Sequence, residues 1–251
     1  MVMVEFLQKD EWLSDVLERQ TFKLTVDEKL LAVWQDWKSE KQLRQWQENL
    51  PSSSFVYTKI PALAVQIAKI LQRLGFYLVD TQVTFEKAIS DQSLSTFPNV
   101  EVRLSQPNDE KGACSLAGSA FRYSRFHLDP LIPPQLANRV KAEWVANYFR
   151  GQRGDALVVA LDKKKVVGFL QLLFKENNKE LVIDLIAVDE SMRGKGVAAA
   201  MIHYAEQAFP SHQQMVVGTQ IANISSVRLY EKLGFRLRSA QYVYHYHHQS
   251  Q

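Results

Sequence analysis

The stretch that decides the fold is 181-LVIDLIAVDESMRGKGVAAAM-201. Its first eight residues are apolar apart from Asp184, which is typical of a buried strand. A glycine-bearing basic segment follows, and apolar residues then recur at helical spacing through Ala208. The pattern predicts a strand, a basic turn and a helix in direct succession.

The turn between this strand and helix has the composition of a phosphate-binding loop. Gly194 and Gly196 let the backbone approach a ligand closely, and the first N–H groups of the following helix have no partner within the helix. Arg193 and Lys195 add charge suited to a diphosphate. Glycines also form ordinary tight turns before helices, so this turn taken alone leaves both interpretations open.

A second polar pattern lies in a short helix predicted over residues 223–233, followed by a strand. Asn223, Ser226 and Tyr230, at offsets of three and seven residues, share one face of that helix. Asn223 can instead act only as the helix cap, and Ser226 can lie on a solvated face.

Together, Arg193-x-x-Gly196-x-Ala198 after a strand and Asn-x-x-Ser-x-x-x-Tyr before 231-EKLGF-235 resemble the acetyl-CoA signature of the GNAT acetyltransferase family. The resemblance implies an α/β (α+β) GNAT fold, with a mixed central sheet flanked by helices, and acetyl-CoA as co-substrate. It also implies that the preceding strand splays from its neighbour to admit the pantetheine arm. The residues assigned to acetyl-CoA in this way are Ile186, Ala187, Val188, Arg193, Gly194, Lys195, Gly196, Val197, Ala198, Asn223 and Ser226.

The resemblance further implies a catalytic acid. When an amine attacks the thioester carbonyl, CoA must leave as a thiol, and the hydroxyl of Tyr230 can supply the proton. A backbone N–H of Ile186 or Ala187 would stabilise the oxyanion. A general base is not fixed, because water can accept the proton of an amine delivered in its neutral form. Asp184, Asp80 and His127 stay open as bases or as structural residues.

The acceptor is indicated by 120-AFRYSRFHLDP-130 and by 74-LGFYLVDT-81, which resemble the dTDP-fucosamine acetyltransferase branch of the same family. This implies a nucleotide-linked 4-amino-4,6-dideoxy sugar as the small-molecule substrate, used in surface polysaccharide or lipopolysaccharide biosynthesis, and a homodimer. Arg125, His127 and Asp184 are the expected acceptor-binding residues. Arg125 can equally be an exposed helix-end arginine paired with Asp129. An aminoglycoside, a polyamine or a protein N-terminus stays open as acceptor, and so does an acetyl-CoA sensor without turnover.

The chain is expected to divide where Ser, Thr, Pro and Asn accumulate in residues 91–99. Residues 1–97 would form a smaller, degenerate GNAT-like domain, with helices over 25–49 and 60–74 and a strand over 76–85. Residues 98–251 would form the catalytic domain. Leu74-Gly75-Phe76 and Leu233-Gly234-Phe235 each follow a helix and open a strand, which favours two related halves.

Composition restricts the remaining classes. The 30 Lys and Arg residues are scattered and nearly balanced by 27 Asp and Glu, a net charge of +3 that does not indicate a nucleic-acid partner. The single cysteine, Cys114, excludes an internal disulfide and a cysteine metal cluster. We expect no metal site at 245-HYHH-248, on the ground that these residues lack a carboxylate at ligand spacing. No signal peptide or membrane-spanning run is apparent, so a cytoplasmic location is expected.

Overall fold

The structure is a computed structural model that describes residues 6–27, 30, 47–48, 50–89, 99–175 and 179–248. Within these ranges it contains ten strands and seven α-helices. The N-terminal elements are β1 (Leu7–Lys9), α1 (Glu11–Leu17), β2 (Thr21–Leu24), β3 (Phe55–Pro61), α2 (Val65–Arg73) and β4 (Tyr77–Ala88). The later elements are β5 (Glu101–Leu104), α3 (Glu110–Ala120), α4 (Arg125–Leu128), α5 (Pro134–Phe149), β6 (Ala156–Asp162), β7 (Lys165–Lys175), β8 (Glu180–Val188), α6 (Val197–Ala208), β9 (Gln214–Gln220), α7 (Ile224–Lys232) and β10 (Arg236–His247).

The strands form one mixed sheet in the order β1-β2-β3-β10-β4-β9-β8-β7-β6-β5. The pairs β2–β3 and β8–β9 are parallel and the other neighbours are antiparallel. The mixed central sheet that the resemblance implied is therefore present.

Helices cover both faces of the sheet, and the apolar core is split accordingly. On one face α6 and α7 pack through Met201 and Tyr230 against Leu170 and Val217. On the other face α3 and α5 pack through Ala113 and Val145 against Leu157 and Phe169. We call the first the α6/α7 face and the second the α3/α5 face.

The two halves of the chain interlock in the sheet. Strand β10 lies between β3 and β4, and β4 lies between β10 and β9. The segment expected to separate two domains falls almost wholly on residues 90–98, outside the described residues, so the division at residue 97 stays a prediction. The helices expected over residues 25–49, with Trp34, Trp37 and Trp46, also lie largely outside the described residues.

The repeated Leu-Gly-Phe tripeptide ends a helix in the same way in both halves. Gly75 and Gly234 have φ of 85° each, which only glycine adopts readily. The N–H of Phe76 donates to Leu71 at 2.9 Å, and that of Phe235 donates to Tyr230 at 2.9 Å. The two helix ends are thus equivalent, and the N-terminal half has Leu71 at the position that corresponds to Tyr230.

Most sequence-predicted elements of the C-terminal half are confirmed within two residues. In the N-terminal half, Ile60 was expected to begin a helix but lies in β3, because the chain is extended from Phe55 to Pro61 and the helix begins only at Val65. Strands β1 and β2 and helix α1 were not predicted, since each is too short to show periodicity. No helix among the described residues is long and apolar enough to cross a membrane.

Candidate active site

Strands β8 and β9 separate halfway along their length. Their parallel pairing runs from Glu180 and Gln214 to Ile183 and Val217 and stops there. Strand β8 continues to Val188 and β9 to Gln220 without pairing to each other. The splay that the resemblance implied is therefore present, and it leaves one edge of each strand open to a ligand.

Asp184 is the extra residue of a β-bulge on β8. The pairing of β8 with β7 passes from Leu172–Ile183 to Gln171–Leu185 and skips Asp184. Bulges bend a strand and redirect a side chain, and this one coincides with the point where β8 and β9 part. Alternation along the strand could not predict the direction of Asp184, because the bulge resets it.

One cavity of about 990 Å³ occupies the gap and reaches both faces of the sheet. This volume is at the upper end of the usual range for ligand sites. Most of the predicted site residues line it together: Arg125, Asp184, Ile186, Ala187, Val188, Arg193, Gly194, Gly196, Val197, Ala198, Asn223, Ser226 and Tyr230.

The predicted phosphate loop lies at the N-terminus of α6. Gly194 and Gly196 have φ of 75° and 82°, in the left-handed region that favours glycine, and a Cβ at either position would meet no atom within 4 Å. The glycines therefore serve the backbone conformation and leave the space beside the loop free. The first residues of α6, Val197 and Ala198, line the cavity here. The first N–H groups of a helix have no partner within it, which suits this position to an anion.

The two basic residues of the loop have partners of their own in the structure, and their contact with a diphosphate stays a prediction. Arg193 donates from Nε to the carbonyl of Val188 and from Nη2 to that of Ala120, both at 3.2 Å, so its side chain ties β8 to the end of α3. Lys195 does not line the cavity and contacts the sulfur of Met192 at 3.7 Å.

Helix α7 presents Asn223 and Tyr230 to the cavity. Asn223 is the helix cap, accepting at Oδ1 from the N–H of Ser226 at 3.3 Å and from the hydroxyl of Ser225 at 2.9 Å. Tyr230 is only 2% exposed and packs between Phe85 and Phe235, with ring centroids 6.0 and 5.6 Å away. Burial raises the pKa of its hydroxyl, which therefore keeps its proton at neutral pH.

The cavity is rich in positive charge on the α3/α5 face. Arg125 is not the exposed arginine that was considered: its guanidinium stacks 3.9 Å above the ring of Tyr57 and lies 3.3 Å from Nε2 of His245. Lys141, 7% exposed, lies over the rings of Phe121 and Trp144, each 4.9 Å away. Burial lowers the pKa of Lys141 to about 7.

The carboxylate of Asp184 is fully engaged. It accepts from Nε1 of Trp144 at 2.8 Å, from Nε and Nη2 of Arg153 at 2.8 and 2.6 Å, and from Nε2 of Gln171 at 3.2 Å. Three of these bonds end on Oδ2 and one on Oδ1, so both oxygens have donors and this residue holds the cavity wall together.

Asp80 of β4 is the second carboxylate of the cavity. It is 6% exposed, and its Oδ2 has no hydrogen-bond partner among the described residues. Burial raises its pKa to about 6, opposed by hydrogen bonds from Thr81 and Gln220 and by the charge of Lys59. Lys59 itself donates to Oε1 of Gln82 at 2.5 Å, and burial lowers its pKa to about 8.

His127 does not line the cavity. One ring nitrogen contacts the hydroxyl of Ser124 at 2.6 Å and the other contacts Oδ1 of Asn138 at 2.9 Å. Because the amide oxygen can only accept, Nε2 carries the proton and Nδ1 accepts from Ser124. The histidine is therefore a structural brace of helices α4 and α5.

The histidines of β10 do have a carboxylate partner, so the ground on which a metal site was excluded is wrong. Nδ1 of His245 and Nε2 of His247 contact Oδ2 of Asp129 at 2.6 and 2.8 Å, and the three ligand atoms lie within 4.8 Å of one another. Sequence spacing could not find Asp129, which lies more than a hundred residues away on the loop after α4.

Hydrogen bonds already occupy this cluster. The other ring nitrogens face guanidinium groups: Nε2 of His245 faces Arg125 at 3.3 Å, and Nδ1 of His247 faces Arg19 at 2.5 Å. Since a guanidinium can only donate, these nitrogens accept and the opposite N–H groups donate to Asp129. Burial alone would raise the pKa of Asp129, but these bonds and one from Tyr77 hold it well below its usual range. Asp129 thus orients His245, and His245 in turn holds Arg125 in position.

Several cavity residues were not predicted from the sequence: Lys59, Gln82, Lys141, Arg153 and Gln220. Their signal is weak because a lysine or arginine in a helix or strand usually indicates a solvated face. Lys141 in particular lies within α5, a helix whose sequence mixes apolar and polar residues.

Comparison with known proteins supports the family. The model of the "Acetyltransferase (GNAT) family" matches residues 124–235. The spore coat polysaccharide biosynthesis protein SpsD of Bacillus subtilis is 29% identical over 245 residues, covering 93% of this chain and 80% of that protein. N-acetylaspartate synthetase of Xenopus tropicalis is 32% identical over 123 residues, covering 48% of this chain and 45% of that protein.

Solved structures agree on the fold. A GCN5-related N-acetyltransferase from Sphaerobacter thermophilus has a TM-score of 0.60 at 15% identity, covering 92% of this chain and 73% of that one. A tandem GNAT protein from the clavulanic acid biosynthesis pathway also has a TM-score of 0.60, at 11% identity, covering 92% of this chain and 76% of that one. The family model thus matches residues 124–235, the splayed strands and the solved structures agree with a GNAT fold, and together they indicate that this chain is an acyltransferase.

Proposed function

We propose that the protein transfers the acetyl group of acetyl-CoA to the primary amine of a nucleotide-linked amino sugar, of the 4-amino-4,6-dideoxy class, for surface polysaccharide synthesis. One observation carries the proposal. A single cavity crosses the sheet through the gap between β8 and β9, with the glycine loop at the start of α6 on one side and basic side chains on the α3/α5 face.

Acetyl-CoA fits the loop end of this cavity. Its diphosphate would accept hydrogen bonds from the N–H groups at the start of α6, beside Gly194 and Gly196. Its pantetheine arm would lie along the unpaired edges of β8 and β9, at Ile186, Ala187 and Val188. Because Arg193 is bound to backbone carbonyls, the loop amides carry more of this binding than the sequence alone indicated.

Tyr230 is suited to be the acid of the reaction. Its pKa is raised by burial, so the hydroxyl is protonated and ready to donate to the leaving sulfur. Acetyl-CoA supplies the thioester that the amine attacks. The N–H of Ile186 or Ala187, freed where β8 leaves β9, would stabilise the negative charge on the carbonyl oxygen.

The basic compartment favours an anionic acceptor. Among the described residues, Lys59, Arg125, Lys141 and Arg153 line it against Asp80 and Asp184, and Asp184 is already paired with Arg153. The excess positive charge suits the diphosphate of a sugar nucleotide and repels aminoglycosides and polyamines, which are polycations. Lys59 and Asp80 come from the N-terminal half, so this half would roof the acceptor.

The similarity to SpsD extends through this N-terminal half, and the name of that protein refers to spore coat polysaccharide biosynthesis. This supports a sugar acceptor. A second acceptor is favoured by the relatives named N-acetylaspartate synthetase, because aspartate is also an anionic amine. That similarity covers only 48% of the chain, whereas the similarity to SpsD covers 93% of it.

The test is a thiol-release assay with acetyl-CoA and a panel of acceptors. The panel contains 4-amino-4,6-dideoxy sugar nucleotides, the matching free amino sugars, aspartate, an aminoglycoside and a polyamine. We expect turnover with the sugar nucleotides and much weaker turnover with the free sugars. Turnover with aspartate alone would replace the proposed acceptor, and acetyl-CoA binding without any turnover would favour a sensor.

Replacement of Tyr230 by Phe separates an enzyme from a sensor. The ring contacts with Phe85 and Phe235 remain, so folding and acetyl-CoA affinity should be unchanged. Loss of the proton donor should lower kcat by about 10²–10³. An unchanged kcat would remove Tyr230 from the proposed chemistry.

A further inference from the structure

The proposed reaction needs a group that takes a proton from the acceptor, and the structure separates the candidates. An acceptor amine is an ammonium ion in water at neutral pH, and only its neutral form attacks a thioester. His127 lies outside the cavity with both ring nitrogens bonded. Asp184 receives four hydrogen bonds, two of them from Arg153. Asp80 differs from both.

Asp80 combines burial, an unsatisfied oxygen and a position in the cavity. Only 6% of its surface is exposed, it lines the cavity, and its Oδ2 has no hydrogen-bond partner among the described residues. A buried carboxylate oxygen without a donor lowers the stability of the fold, and its presence in a cavity therefore favours a functional role.

The register of the sheet gives the direction of Asp80. It is paired with Val243 on β10, and the side chain of Gln220 on β9 hydrogen-bonds to it. Gln82, two residues along β4, covers Gly218, where a Cβ would lie 2.7 Å from its Nε2. Asp80 and Gln82 therefore share the basic acceptor side of the cavity, whereas Phe85, on the alternate face of β4, contacts Tyr230.

We infer that Asp80 is the general base of this enzyme and takes a proton from the ammonium group of the acceptor. This inference rests on the proposed function. The ammonium gives one proton to the Asp80 carboxylate, which later releases it to solvent. The nitrogen lone pair then forms the C–N bond, the C–S bond breaks, and the sulfur keeps that electron pair and takes a proton from Tyr230. The second proton lost by nitrogen returns to Tyr230, so one proton is released for each acetyl group transferred.

The charges around Asp80 suit this role. Lys59 on β3 faces the carboxylate, and the charges of Arg125 and Lys23 lower the pKa of Lys59. Burial and neighbouring cations lower the pKa of Lys59 to about 8 and that of Lys141 to about 7. The same surroundings would lower the pKa of a bound ammonium. The pKa of Asp80 is raised to about 6, mainly by burial. The pKa of the ammonium that gives the proton and that of the carboxylate that takes it would therefore lie closer together.

The test compares Asp80→Asn with wild-type enzyme on whichever acceptor the thiol-release panel identifies. For the wild type, kcat/KM should fall below about pH 6 as Asp80 becomes protonated. Asp80→Asn should lose this limb, be slower by about 10²–10³ at pH 7, and gain activity steadily toward the pKa of the amine. Glu86→Gln is the matched control, because Glu86 lies on the same strand outside the cavity and pairs with Arg238.

Other outcomes decide against the inference. An Asp80→Asn enzyme that keeps the acidic limb, whether fully active or uniformly slower, would show that Asp80 is structural. The carboxyl carbon of Asp80, identified in NMR spectra as the signal that Asp80→Asn removes, gives a readout that needs no acceptor. Titration above about pH 4.5 supports the inference, and titration at or below about pH 4.5 overturns it even if no acceptor is found. Failure of the whole acceptor panel would instead count against the proposed function.

Discussion

Ionisation of Asp80 should weaken the fold, and replacing it by Asn should show this as a pH-dependent gain in stability. The native pKa of about 6 is above the ordinary value of 3.8. An acid whose pKa is raised on folding binds its proton more tightly in the native state, so its contribution to stability falls as pH rises from about 4 to about 6. Asn has no ionisation in this range.

The size of the effect follows from the two pKa values. Linkage gives a cost of about 1.6 kcal/mol at pH 5 and about 2.9 kcal/mol at pH 7 for the wild type. The advantage of Asp80→Asn should therefore grow by about 1.3 kcal/mol between these pH values. For a chain of this size that growth corresponds to roughly 3–5 °C in Tm. Lys59 titrates at higher pH and is present in both proteins.

The assay is urea unfolding followed by tryptophan fluorescence at pH 5 and pH 7, for the wild type, Asp80→Asn and Glu86→Gln. The difference between pH values is the relevant quantity, because any loss of hydrogen bonds by the Asn amide is the same at both. Glu86→Gln should show no comparable growth, since Glu86 is a surface residue paired with Arg238. A constant or shrinking advantage of Asp80→Asn would refute the buried-carboxylate reasoning.

Three further substitutions test other parts of the site. Gly196→Val should weaken acetyl-CoA binding at least tenfold by calorimetry, because it strains a φ of 82° and fills the open space beside the loop, while the acceptor's own affinity stays unchanged. Asp129→Asn should lower the free energy of unfolding in urea by about 3 kcal/mol and raise KM for the acceptor, because the bonds from His245, His247 and Tyr77 are disrupted and Arg125 loses its support. Wild-type kinetics would show that Asp129 does not position Arg125. Arg153→Met should destabilise the fold by roughly 2–4 kcal/mol, because the charge of Asp184 is left uncompensated. Adding Asp184→Asn to this variant should restore most of the lost stability, and additive losses would show that the two residues are not coupled.

The strand–loop–helix unit and the short helix with Tyr230 could be predicted because local spacing determines them. The strand of residues 180–188, the helix beginning at Val197 and the cap at Asn223 all follow from patterns of apolar residues, glycines and cap residues. The end of the cavity that we propose for acetyl-CoA consists almost entirely of such contiguous segments. Most of the residues that line it could therefore be named from the sequence alone.

The end of the cavity that we propose for the acceptor could not be predicted in the same way, since its residues meet only through sheet pairing across the two halves. Asp80 reaches the cavity because β4 inserts between β10 and β9, and Asp129 meets His245 because β10 returns beside β3. The bulge at Asp184 reverses the alternation that would otherwise orient it. The homodimer, the cytoplasmic location and the division of the chain into two domains stay predictions.

The central claim is acetyl transfer through the gap between β8 and β9 to the amine of an anionic acceptor. Its most direct test is mass spectrometry of the acceptor after incubation with the enzyme and acetyl-CoA labelled with ¹³C in the acetyl group. We predict a labelled acetamide on the amino group of a 4-amino-4,6-dideoxy sugar nucleotide, in step with thiol release and absent with Tyr230→Phe. Thiol release that leaves every amine unlabelled, or label found only on polycationic amines, would contradict the claim.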